Sequence, residues 1–257
     1  MIKDIEKIVE LHILNWGAAG YEQLAEYLLA SKVPRRILEV DVGHDRALAT
    51  LEERSQTSLL RLATALHLEG NPEYYAGQDV LEIGSGHHVY EGVVGMCNSY
   101  TSVDPLYLEF DSRASADERA KLVELLRRVN ECPDDLICHS SSDSEESFTG
   151  LHEFGFDGCS FLMAAGNYQD MKRGVFSMVI NGGVKMQGPS DAEAVKRIMG
   201  PDAVFVCSDS PLGLLASQAG EKLEDHFSDA RETWVSLKHP TIRNRGLYVV
   251  REYRQDQ

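Results

Sequence analysis

The stretch DVLEIGSGHHVYEG, residues 79–92, constrains the fold more than any other part of the chain. A short apolar run, interrupted by Glu82, ends in Gly84 and Gly86, and a helix-compatible segment follows. Strands buried on both faces of a parallel sheet read as such runs. Glycines at the end of one let the backbone turn sharply, and the free N–H groups of the next helix then face a ligand. The stretch predicts a strand-to-helix turn of an α/β sheet with a ligand at the turn.

The rest of the chain extends that pattern. Short apolar runs at 79–84, 100–105, 135–140, 176–181 and 203–209 read as strands alternating with amphipathic helices. Helices are predicted over SADERAKLVELLRRVN, with a Ser115 to Glu118 capping box, and over SDAEAVKRIMG, with a Ser190 to Glu193 box. TWVSLKHP and RGLYVVREY read as two closing strands paired antiparallel. Within 141–175, GCSFLM fits either a helix or a strand, and the helix is preferred. Residues before the turn read as amphipathic helices, as in IEKIVELHILNW and YEQLAEYLLAS. RRILEVDVGHD imitates the later turn, but Asp41 and Val42 stand where that turn has Gly84 and Ser85, so it reads as a decoy. The expected division is a helical lid or dimerisation region over 1–76 and a catalytic domain over 77–257.

A dinucleotide fingerprint needs a third glycine, and Val89 stands there, which argues against NAD or FAD. Glu82 precedes the first glycine, and Asp104 ends the next predicted strand. A carboxylate at that second position accepts both hydroxyls of a ribose, and one before the turn holds an ammonium group directly or through water. A ligand with a ribose, an amino group and no phosphate is described, and S-adenosylmethionine fits.

VLEIGSG resembles the first motif of class I S-adenosylmethionine-dependent methyltransferases. SVDP is similar to their ribose-binding strand end, FSMVINGGV to their fourth-strand motif, and AVKRIMGPDAVFVCSD to their following helix, turn and fifth strand. His88 stands where a third glycine is usual. The resemblance implies a Rossmann-like α/β fold with a mostly parallel seven-stranded sheet covered by helices on both faces, an antiparallel C-terminal strand pair and an N-terminal helical layer. It implies that Glu82, Gly84, Ser85 and Gly86 contact the methionine end of the cofactor and that Asp104 holds the ribose. Ser141, Ser142 and Asp143 then lie beside the adenine, and Asn181 and Gly182 lie where cofactor meets acceptor.

Transfer from a sulfonium is an in-line displacement that mainly demands positioning. Where the acceptor needs a base, His87, His88 and His239 are the candidates at neutral pH. Tyr90, Tyr168 and Asp209 are acceptor-side candidates because each falls at or beyond a predicted strand end. No metal is expected: adjacent histidines on a helix diverge, and INGG lacks the carboxylates of a metal-dependent site.

The net charge of −16, from 41 acidic and 25 basic side chains, repels phosphate backbones and favours a neutral or cationic small molecule over nucleic acid. The five cysteines form no C-x-x-C pair. No apolar run approaches the roughly 20 residues of a membrane span, and the start lacks the apolar core of a signal peptide, so a cytoplasmic protein is expected, with homodimerisation through the N-terminal helices a further possibility. Two rival functions stay open. One is transfer of the aminocarboxypropyl or a related alkyl arm of the same cofactor, and the other is a non-catalytic nucleoside-binding protein.

Overall fold

A computed structural model describes residues 2–43, 56–84, 90–104, 137–139, 151–156, 159–165, 168–171, 176–186, 188–217, 223–239 and 246–254. The predicted helix after Ser115 lies outside them. No helix among the described residues is long and apolar enough to cross a membrane. The chain divides into two compact units, one of 1–70 with 206–256 and one centred on 71–205. The C-terminal strand pair groups with the N-terminal helices rather than with the glycine turn.

In the first unit, α1 (Ile2–Trp16) and α2 (Tyr21–Ala30) form where the apolar spacing predicts them. Ile5, Ile8 and Leu11 of α1 and Leu24 and Leu28 of α2 are buried with Trp234 and Val249. The turn between the helices uses Gly17 and Gly20, both at positive φ. Residues Arg35–Asp41 form β1, and α3 spans Gln56–Glu69. The segment read as a decoy is therefore a true strand. It pairs in parallel with β9 (Asp229–Lys238), which pairs antiparallel with β10 (Leu247–Arg254) as expected. RRILEVD escapes notice as a strand because its three apolar residues, Ile37, Leu38 and Val40, sit at spacings that a helix also allows.

Glu39 of β1 and Lys238 of β9 form an ion pair. Its hydrogen bond to Lys238 holds the Glu39 carboxyl below the usual range, against the opposing effect of burial. A lowered folded value means the pair's contribution is present above the unfolded carboxylate value of about 4.3 and is lost as pH falls through the folded one. Lys238→Met is expected to be less stable than the wild type at about pH 6, and the gap in urea midpoint should close towards about pH 3.

In the second unit the strands are β2 (Asp79–Ile83), β3 (Ser99–Asp104), β4 (Ile137–His139), β5 (Leu151–Phe156), β6 (Cys159–Ala165) and β7 (Phe176–Asn181). They lie in the order β7-β2-β3-β6-β5-β4. The pairs β2 with β7, β2 with β3, and β3 with β6 are parallel, whereas β5 pairs antiparallel with both β6 and β4. The short helix α4 (Glu91–Val94) lies between β2 and β3 in the chain, and after β7, α5 (Pro189–Ile198) leads into β8 (Met199–Asp209), whose residues up to Phe205 belong to this unit and whose remainder belongs to the first.

The α/β, Rossmann-like class holds, with β1, β5 and β6 added to the seven strands read from sequence. Three readings are corrected. CSFLM belongs to strand β6, not a helix: the apolar run CSFLMAA has the length of a strand and is bounded in sequence by Gly158 and Gly166. The run at 135–140 yields only β4, which is antiparallel to β5, and β6 takes the place beside β3. The Ser190 capping box does not form either, because α5 begins at Pro189 behind Gly188, which puts Ser190 inside the first turn.

Candidate functional site

The second unit gathers the carboxyl ends of three adjacent parallel strands. Ile83 of β2 lies in register between Val103 of β3 and Asn181 of β7. From β2 the chain passes to β3 on one side and later returns as β7 on the other, so the strand order reverses beside β2. Open α/β sheets bind ligands outside the carboxyl ends of the strands at such a reversal.

Gly84 makes the turn possible. Its φ of 70° is left-handed, its N–H donates to the Val103 carbonyl at 2.8 Å, and a Cβ there would lie 2.3 Å from Val184 Cγ2. Both the backbone conformation and the close approach of the β7 loop require glycine. Asn181 holds that loop from the other side. Its Oδ1 accepts the N–H groups of Gly183 (3.1 Å) and Val184 (2.8 Å), and its Nδ2 donates to the Val184 carbonyl (2.7 Å). The adjacent Gly182 donates its N–H to the Ile83 carbonyl at 2.8 Å. Asn181 and Gly182 thus shape the β7 loop beside the Gly84 turn, an Asx-type use of the Asn181 side chain.

The two acidic residues are placed differently. Asp104 ends β3 with 5% of its surface exposed, and Glu82 is fully buried. The parallel register sets Val80 beside Tyr100 and Glu82 beside Ser102. Side chains alternate along a strand, so Glu82, Tyr100, Ser102 and Asp104 share one face. The Tyr100 hydroxyl donates to Glu82 Oε2 and accepts the Tyr90 N–H at 3.4 Å. Glu82 therefore lies beneath the turn as a buried carboxylate held by a hydrogen bond, the condition under which such a group is tolerated.

The acceptor-side candidates are engaged locally. Tyr90 is buried at the start of α4, where its carbonyl accepts the N–H groups of Val93 (2.8 Å) and Val94 (3.0 Å). The hydroxyl of Tyr168 donates to Asp191 Oδ1 at 2.6 Å, and Gln169 Nε2 donates to the same oxygen at 2.7 Å. Burial first, and the Asp191 carboxylate second, push the Tyr168 hydroxyl well above the ordinary tyrosine value. Arg197 of the same helix reaches the carbonyls of Met171 (2.8 Å) and Gln169 (2.6 Å), so Tyr168 is part of the anchor of α5. In the first unit, Asp209 Oδ1 accepts the Ser210 N–H at 2.8 Å, and it leaves no room for a side chain at Gly213, where a Cβ would lie 1.8 Å from it. Asp209 thereby shapes the start of α6 (Pro211–Ser217), and His239 follows the end of β9, half-buried.

Ser85, Gly86, His87, His88, Ser141, Ser142 and Asp143 lie outside the described residues. Among the described residues no group of three or more His, Cys, Asp or Glu side chains is placed to hold a metal ion. Sequence reading missed Tyr100 and Val184. Tyr100 carried a usable signal, since it stands two positions before Ser102 and four before Asp104 and so faces the same way.

No protein-family model and no curated protein sequence matches the chain. Among solved structures it is similar to N-methyltransferase NodS from Bradyrhizobium japonicum WM9 in complex with S-adenosyl-L-homocysteine, at 11% identity and a TM-score of 0.41 over 81% of this chain and 88% of that one. It is similar to precorrin-6y C5,15-methyltransferase from Geobacter metallireducens GS-15, at 17% identity and 0.42 over 82% and 87%. It is also similar to a mutant of MtNAS in complex with S-adenosylmethionine, at 13% identity and 0.40 over 99% and 90%.

Proposed function

We propose that the chain is an S-adenosylmethionine-dependent methyltransferase acting on a small-molecule acceptor, with the cofactor seated over the carboxyl ends of β2 and β3. The observation that carries this reading is the placement of Glu82 and Asp104 at adjacent parallel strand ends, beside a turn that Gly84 forms in the left-handed conformation. The two carboxylates fit the group as acceptors. Asp104 accepts from both ribose hydroxyls, and Glu82 supplies negative charge beneath the turn where a cationic amino-acid tail settles. Two carboxylates in the crevice disfavour a pyrophosphate.

When bound, S-adenosylmethionine supplies a methyl group activated on a sulfonium. The chain's own task is to hold cofactor and acceptor in line and to keep water out. The Asn181-bound loop and Gly84 fix the rim, and Asp104 fixes the ribose. The net charge of −16 favours a neutral or cationic acceptor.

Titration calorimetry with S-adenosylmethionine, S-adenosylhomocysteine and NAD tests the reading. Micromolar binding of the two sulfur ligands is expected, weakened by more than about 100-fold in Asp104→Ala through the loss of two hydrogen bonds to a charged group, each worth about 1.5–3 kcal/mol. Tighter binding of NAD, or unchanged affinity in Asp104→Ala, would refute it. In turnover assays, release of S-adenosylhomocysteine marks methyl transfer, and release of methylthioadenosine marks transfer of the aminocarboxypropyl arm.

A further inference from the structure

We infer that Tyr100 is a positioning residue for the amino-acid tail of the ligand, acting through Glu82 and the start of α4. The inference rests on the cofactor reading above and adds to it a residue that touches neither ribose nor acceptor. Its basis is one hydroxyl engaged twice: Tyr100 donates to Glu82 Oε2 on β2 and accepts the Tyr90 N–H at the head of α4. These groups flank the glycine turn on both sides in sequence, Glu82 before it and Tyr90 after it. Tyr100 itself is fully buried on the neighbouring strand β3.

A tyrosine at this place has a specific consequence. A buried carboxylate without a donor rotates or takes up a proton, and either change removes directed negative charge from beneath the turn. The phenol sits on a rigid ring packed in the sheet, so it fixes one carboxylate oxygen in a single direction. Its second hydrogen bond satisfies a backbone N–H where α4 begins, so strand end and helix start are held by one atom. Because Asp104 lies further along the same strand face, the ribose end of the crevice does not depend on this hydroxyl.

The test separates the two ends of the ligand. S-adenosylhomocysteine carries the amino-acid tail, and 5′-methylthioadenosine keeps the nucleoside and lacks it. In the full chain, Tyr100→Phe is expected to weaken S-adenosylhomocysteine about 10-fold, the scale of one hydrogen bond to a charged group, while methylthioadenosine stays within about 2-fold. Glu82→Gln should reproduce that selectivity, and the two substitutions together should cost less than the product of their separate effects. Urea unfolding of each variant establishes that the folded protein is being titrated. Equal weakening of both ligands, or no change in either, would overturn the role given to Tyr100 while leaving the cofactor reading intact. A wild-type chain that binds neither ligand would overturn both.

Discussion

Gly84→Ala is expected to lose about 3 kcal/mol of stability, roughly the sum of two independent costs. The first is conformational: an L-residue held at a φ of 70° gives up about 1–2 kcal/mol relative to glycine. The second is steric. The new methyl would lie 2.3 Å from Val184 Cγ2 and 3.3 Å from the Val184 backbone nitrogen, and overpacking of this kind costs about 1–3 kcal/mol. Valine is short and stiff at χ1, and its backbone is held by Asn181, so the contact has little room to relax. The two parts can be told apart by urea unfolding. Val184→Ala in the same chain should recover the steric part and leave the conformational one. A loss below about 0.5 kcal/mol in Gly84→Ala would show that the turn does not need glycine.

The second large effect belongs to the first unit. Glu232 lies on β9 in register between Arg35 of β1 and Arg251 of β10. Its carboxylate accepts the Tyr27 hydroxyl at 2.5 Å and the Trp234 indole N–H at 3.1 Å, and it pairs with the Arg35 guanidinium at 3.5 Å. Arg35 also donates to the carbonyls of Leu28 (2.6 Å) and Ser31 (3.3 Å), which ties the end of α2 to the sheet. Removing one member of a buried pair leaves the other charge uncompensated, so Glu232→Ala is expected to cost about 3–5 kcal/mol in urea unfolding. Tyr27→Phe removes a single hydrogen bond to a charged acceptor and should cost about 1.5–3 kcal/mol. Equal losses in the two variants would mean that the carboxylate matters only as the partner of Tyr27.

What the sequence revealed follows from the physics of each element. β2 and β7 are legible as short, mostly apolar runs and β3, SYTSVD, as a β-prone run, and the ends of the three carry glycine, aspartate or asparagine. β6 was ambiguous because CSFLMAA serves equally as a turn of buried helix, and only its pairing with β3 and β5 decides. β1 was passed over because its register with β9 is a contact between residues far apart in sequence, which no local pattern records. The same distinction runs through the site. Glu82 and Asp104 announce themselves by position next to glycines and at a strand end. The partnership of Tyr100 with Glu82 exists only once β2 and β3 lie side by side, and the closeness of Val184 to Gly84 only once the β7 loop folds over the turn. The grouping of the C-terminal strands with the N-terminal helices is likewise a property of long-range packing.

A crystal structure of the full chain grown with S-adenosylhomocysteine decides where the cofactor binds. The ligand is expected over the carboxyl ends of β2 and β3, its ribose hydroxyls on the Asp104 carboxylate and its amino-acid tail at the Gly84 turn above Glu82. A ligand bound elsewhere, or lying at this crevice with the ribose away from Asp104, would contradict this placement.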